Sequence, residues 1–122
     1  MARKKIMLVD DAPTILMMER MILGREYDLV MATDGVEAVE KALYEQPDLI
    51  LMDVVMPKMD GFAACHELKR QEQTRDIPII IVTTRAEGEN METGFHVGCT
   101  DYVVKPINGV ELLTKVRNCL GQ

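Results

Sequence analysis

Two segments of this chain are apolar without interruption. Leu49-Ile50-Leu51-Met52 ends on Asp53, and Ile79-Ile80-Ile81-Val82 ends on Thr83. Neither alternates apolar with polar residues, so neither leaves one face for water. Short unbroken runs of this kind suit strands of a parallel sheet covered on both sides. A parallel sheet needs crossover connections, and stretches of helical spacing separate the runs.

The same alternation extends along the chain. Strands are expected over 5–9, 27–32, 48–53, 78–83 and 101–104. The first helix is expected over 13–23, with Pro13 in its first turn and Ile15, Leu16, Met18, Ile22 and Leu23 along one stripe. A second helix, capped by Asp34, runs to about 44 with Val36, Val39, Ala42 and Leu43 on one face. Asp60 caps a third that runs to about 71. A fourth, over 87–97, is weakened by Gly88, Gly94 and Gly98. Asn108 with Glu111 resembles a capping box opening a last helix that runs to about 120. Five strands alternating with five helices imply an α/β, doubly wound parallel sheet with helices on both faces, in the flavodoxin-like order 2-1-3-4-5. Residues 1–122 read as one domain.

Composition narrows the partners. Hydrophobic residues are 48% and charged residues 28%, as in a soluble globular protein. A net charge of −6 and the lack of a dense basic run give no case for direct nucleic-acid binding by this chain. No apolar stretch reaches the ~20 residues of a membrane span, and no signal peptide is evident. Cys65, Cys99 and Cys119 are odd in number, widely spaced and without a CxxC pair, which suits reduced thiols packed as small hydrophobes in a cytoplasmic protein. His66 and His96 have no ligand-spaced companions for zinc.

In an open parallel sheet, ligands bind beyond the carboxyl ends of the strands. The first strand ends on Asp10-Asp11, the third on Asp53 and the fourth on Thr83-Thr84, and Lys105-Pro106 follows the fifth. The order 2-1-3-4-5 makes the first, third and fourth strands neighbours. Any one of these residues alone is ordinarily a turn former, a cap or a solvated side chain. Together they place three carboxylates, a hydroxyl and an amine on one edge. Crowded carboxylates repel unless a cation intervenes, and an all-oxygen donor set favours Mg2+. A carboxylate can also act as nucleophile in phosphoryl transfer, a reaction governed by positioning and charge neutralisation.

These segments closely resemble the receiver domains of two-component response regulators, over essentially the whole chain. The matching stretches are Leu8-Val9-Asp10-Asp11, Asp48 to Asp53, Met56-Pro57, Met59-Asp60-Gly61, Ile80 to Thr83, Gly98, Asp101-Tyr102 and Val104-Lys105-Pro106. The resemblance implies a phosphoacceptor at Asp53 and Mg2+ bound by Asp11 and Asp53, by Asp10 mainly through a water, and by the backbone carbonyl of Val55. It implies that Lys105 pairs with the phosphoryl group, that Thr83 and Tyr102 form a switch pair, and that the Lys105-Pro106 bond is cis. Pro57 and Gly61 have plain structural roles in the loop after Asp53. The implied partners are a sensor histidine kinase or phosphotransfer protein, and a target or output domain reading the fourth helix, fifth strand and last helix. The chain would be a monomer or a phosphorylation-dependent dimer.

Some positions depart from the family pattern. Thr84 stands where a small Ala is commonest, and Val55 and Arg85 flank the phosphoryl position, so these three are expected to tune phosphoryl lifetime. Ile107 replaces a frequent Phe, and Cys99-Thr100 a frequent Ala-Asp; both read as packing changes. Two other readings fare worse. An aspartyl-phosphate hydrolase of the haloacid dehalogenase type needs a second Asp at position 55, where Val55 stands. A flavin or nucleotide binder needs a Gly-rich loop after the first strand, where Asp10-Asp11-Ala12-Pro13 stands.

Overall fold

The alternating faces of the strands separate the core into two layers. A computed structural model describes residues 3–84, 96 and 98–122. Its elements are β1 (Lys5–Val9), α1 (Pro13–Leu23), β2 (Asp28–Ala32), α2 (Gly35–Glu45), β3 (Leu49–Asp53), α3 (Gly61–Arg70), β4 (Ile79–Thr84), β5 (Asp101–Lys105) and α4 (Gly109–Cys119). The strands form one all-parallel sheet in the order β2-β1-β3-β4-β5, as expected. The helix expected over 87–97 lies, except for His96, outside the described residues, and so does Arg85.

Successive side chains of a strand point to opposite faces. Met7, Val9, Ile50, Met52, Ile79 and Ile81 therefore pack on one face with Ala38 and Ala42 of α2 and Ala64, Cys65 and Leu68 of α3. Ile6, Leu8, Leu49, Leu51, Ile80 and Val82 pack on the other with Leu23 of α1 and Leu112 and Val116 of α4. Each such large side chain, buried on folding, contributes ~2 kcal/mol. That is why β3 and β4 carry no polar residue until their carboxyl ends.

Local signals explain the helix starts. Asp34, Asp60 and Asn108 accept from the backbone N–H of Glu37, Ala63 and Glu111 at 2.8, 2.8 and 3.0 Å. α1 has no side-chain cap; Pro13 opens it.

Two helix faces differ from expectation. In α1 the buried positions are Glu19 and Leu23, whereas Met18 is exposed beside Met17 and Met21. In α2 they are Gly35, Ala38 and Ala42, whereas Val36 and Leu43 are exposed. In both helices the inward face contains a residue that apolarity does not mark, a Glu in one and a Gly in the other. Cys65 and Cys99 are buried, and burial pushes both thiols up to about 11; Cys119 is half-buried. No helix among the described residues is long and apolar enough to cross a membrane.

Candidate functional site

The first, third and fourth strands end side by side, and the register offsets neighbouring ends by only one or two residues. Val9 pairs with Met52, Asp53 with Val82, and Thr84 with Lys105. The chain thus delivers Asp10 and Asp11 immediately beyond β1, Asp53 at the tip of β3, and Lys105 at the tip of β5. Carboxylate oxygens of Asp10, Asp11 and Asp53 all lie within 4.8 Å of one another. Asp10 and Asp53 are almost fully buried, and Asp11 is exposed.

One ammonium serves two of these carboxylates. Lys105 Nζ donates to Asp53 Oδ1 at 2.9 Å and lies 3.6 Å from Asp10 Oδ2. Asp10 Oδ1 accepts from the Ala12 N–H at 2.9 Å, but Asp10 Oδ2 is buried and accepts no hydrogen bond from the described residues. Burial pushes the Asp53 carboxyl above the usual range, and the Asp10 charge adds to this, while Lys105 pulls it down. Burial raises Asp10 as well, against the Ala12 N–H and Lys105. Burial works against the Lys105 charge too, yet its two carboxylate partners outweigh that and hold it above its ordinary value. Three clustered carboxylates share one ammonium, and a buried Asp10 oxygen lacks a hydrogen bond; that is the electrostatic debt a divalent cation cancels, and the donors are all hard oxygens. These residues fit Mg2+.

Thr83 and Thr84 close β4. Thr83 is buried, and its hydroxyl donates to the Thr84 carbonyl at 3.4 Å. Thr84 and Val55 are exposed. Tyr102 is half-buried against the α2–α3 layer, with the Lys115 ammonium 4.7 Å from its ring centre. The Lys105-Pro106 bond is cis. Gly61 has no room for a side chain, since a Cβ there would lie 2.0 Å from the Asp53 carbonyl oxygen.

Sequence reasoning missed Glu19. Its side chain on α1 is buried, and Oε1 has no hydrogen-bond partner among the described residues. Burial first, then the Asp10 charge, push it up to about 8, against the pull of Lys105. The spacing Leu16, Glu19, Leu23 places it on the inward stripe, which was the available signal. A cavity of about 550 Å³ beside α1 and β2, lined by Met17, Arg20, Met21, Tyr27 and Met31 among others, contains none of the strand-end polar groups.

Comparison with known proteins points one way. Residues 6–117 match the family model described as the response regulator receiver domain. The DNA-binding dual master transcriptional regulator RpaA of Synechocystis sp. is 38% identical over 117 residues, covering 95% of this chain and 48% of that protein. Among solved structures, the receiver domain of sensor histidine kinase PA1611 from Pseudomonas aeruginosa PAO1 has a magnesium ion coordinated in its active site cleft. It is 33% identical with a TM-score of 0.91, covering 99% of this chain and all of that one. The chemotaxis response regulator CheY4 of Vibrio cholerae is 35% identical with a TM-score of 0.90, covering 98% and 100%. The chain spans about half the length of the first curated relatives it matches. The expectation of no direct nucleic-acid binding by this chain finds no support, since this relative is described as DNA-binding.

Proposed function

This chain belongs to the response regulator receiver family of two-component signalling, and on that premise we propose that it is a switch driven by a phosphoryl group carried on Asp53. The observation that carries this reading is Asp53 itself. It is a nearly buried carboxylate at a strand tip, held 2.9 Å from Lys105 within a cluster of three carboxylates. The donor is a phosphohistidine of a sensor histidine kinase or phosphotransfer protein. An Asp53 carboxylate oxygen forms the new bond to phosphorus as the phosphorus–nitrogen bond breaks. The electron pair leaves with the imidazole, which takes a proton from solvent.

Asp10, Asp11, Asp53 and the Val55 carbonyl would hold Mg2+. When bound, the ion supplies positive charge that offsets the carboxylates and the phosphoryl oxygens. Lys105 already stands at the acceptor oxygen, and after transfer it pairs with the phosphoryl group. Thr83 turns its hydroxyl to a phosphoryl oxygen, and Tyr102 moves inward behind it, a local charge event that biases a two-state surface. The surface read by a target or output domain comprises the segment over 87–97, β5 and α4. Val55, Thr84 and Arg85 set how long the phosphoryl group survives. The product is a conformation, so the protein signals rather than turns over a substrate.

Incubation with acetyl phosphate and Mg2+, followed by intact mass, tests the reading. The expected result is one phosphoryl adduct, abolished in Asp53→Asn. An adduct that survives that substitution sinks it.

A further inference from the structure

The loop between β3 and α3 carries Val55 and is tied down at both ends. Beside α3, the Gly61 N–H donates to the Val54 carbonyl at 2.8 Å. Farther from Asp53, the start of α2 reaches across to it. The Gly35 N–H donates to the Met59 carbonyl at 3.1 Å. A Cβ on Gly35 would lie 2.2 Å from that carbonyl oxygen and 2.7 Å from the Met59 Cβ, so no side chain fits there. Next to this contact, Lys58 adopts φ 69, a left-handed conformation uncommon for a residue other than glycine. Its ammonium lies 3.6 Å from Asp34 Oδ2, while Asp34 Oδ1 caps α2. Asp34 thus gives one oxygen to its own helix and the other to the loop. Between these ties the Met59 N–H donates to the Pro57 carbonyl at 2.8 Å.

We propose that Gly35 and Asp34 are positioning residues for the phosphoacceptor site, holding the β3–α3 loop through Met59 and Lys58 so that Val55 can serve the cation beside Asp53. The inference rests on the proposed role of Asp53 and its cation. Gly35 carries most of the effect. Its bond is to backbone, and its missing side chain lets α2 approach the loop directly, so any Cβ must push the loop away. The Lys58–Asp34 pair contributes less, because the lysine is largely exposed and water screens it. A residue in an uncommon backbone conformation persists only where its surroundings over-determine it, and two ties from α2 do so here.

The test uses Mg2+ titration of the whole chain by calorimetry, together with phosphorylation by acetyl phosphate across Mg2+ concentrations. Gly35→Ala is expected to weaken Mg2+ binding by about tenfold, as loss of support behind a metal ligand does. The Mg2+ needed for half-maximal phosphorylation should rise in step, while the rate at saturating Mg2+ stays near wild type. General damage to the fold would lower that saturated rate instead. Asp34→Asn keeps a capping oxygen but loses the charge, and is expected to weaken Mg2+ binding by about twofold. In wild type, the Gly35 amide resonance should move during the titration with the same midpoint as that of Val55. A folded Gly35→Ala that binds Mg2+ like wild type overturns the inference. If Gly35→Ala does not fold, a stationary Gly35 resonance in wild type overturns it. A wild type that takes up neither Mg2+ nor a phosphoryl group defeats the proposed function, and this inference with it.

Discussion

The two ends of the sheet treat their carboxylates in opposite ways. At the amino ends of the strands, Asp48 accepts from the Lys5 N–H at 2.7 Å, the Lys5 ammonium lies 3.0 Å from Glu45, and Arg3 lies 3.8 Å from Asp28. At the carboxyl ends, Asp10, Asp11 and Asp53 crowd together, Lys105 serves two of them, and one buried oxygen is left without a hydrogen bond. At the first end each of these carboxylates has a donor or a cation of its own. The second stores an unmet electrostatic demand, and such local conflicts mark the places where a structure is built for a ligand.

The largest expected effect comes from meeting that demand. Mg2+ at a hundredfold excess over its dissociation constant should stabilise the fold by about 2.7 kcal/mol. Thermal unfolding should show this in wild type and in Asp48→Ala, and not in Asp11→Asn. Equal shifts in all three would erase the contrast between the two ends.

Glu19 extends the contrast into the α1 layer. Its folded pKa is raised from 4.5 to about 8, so the folded state keeps a proton that the unfolded chain gives up. The associated stability is complete below pH 4.5 and is lost as pH rises through about 8. Glu19→Leu should stabilise the protein by ~2 kcal/mol above that range, raising Tm by roughly 8 °C. Glu19→Gln should flatten the pH profile. A Glu19→Leu protein whose Tm falls at pH 9 would show that the carboxyl has found a partner.

A smaller pair of effects should have opposite signs. Without Mg2+, Asp10→Asn relieves repulsion and should stabilise by ~1 kcal/mol, whereas Asp48→Ala leaves the Lys5 N–H unpaired and should cost ~1 kcal/mol. Denaturant unfolding in chelator distinguishes them, and matching signs would refute the distinction. The smallest effect concerns timing. Thr84→Ala should change the decay rate of the phosphorylated form by about threefold, less than 1 kcal/mol of barrier. Identical decay would remove Thr84 from the tuning set.

The strands and their polar ends were legible because two signals coincide there. An unbroken apolar run marks a strand covered on both faces, and its first polar residue marks the carboxyl edge of the sheet. Leu49 to Asp53 and Ile79 to Thr84 show both. Glu19 was overlooked for a related reason. A helix face is read from apolar residues, and a charged residue within the stripe looks like one facing water. The ties from Gly35 to Met59 and from Asp34 to Lys58 were illegible because their partners lie 24 residues apart in sequence. Nothing local to either partner announces such contacts.

Residue order alone determined that this chain forms a parallel sheet, that Asp10, Asp11, Asp53, Thr83 and Lys105 stand at strand ends, and that the family pattern is present, since each depends on short-range periodicity or identity. Only the tertiary structure decided that one lysine is shared by Asp53 and Asp10, that a buried Asp10 oxygen accepts no hydrogen bond from the described residues, that Glu19 is buried, and that α2 braces the loop beyond Asp53. Those facts depend on distances between elements, which packing sets and local sequence does not encode.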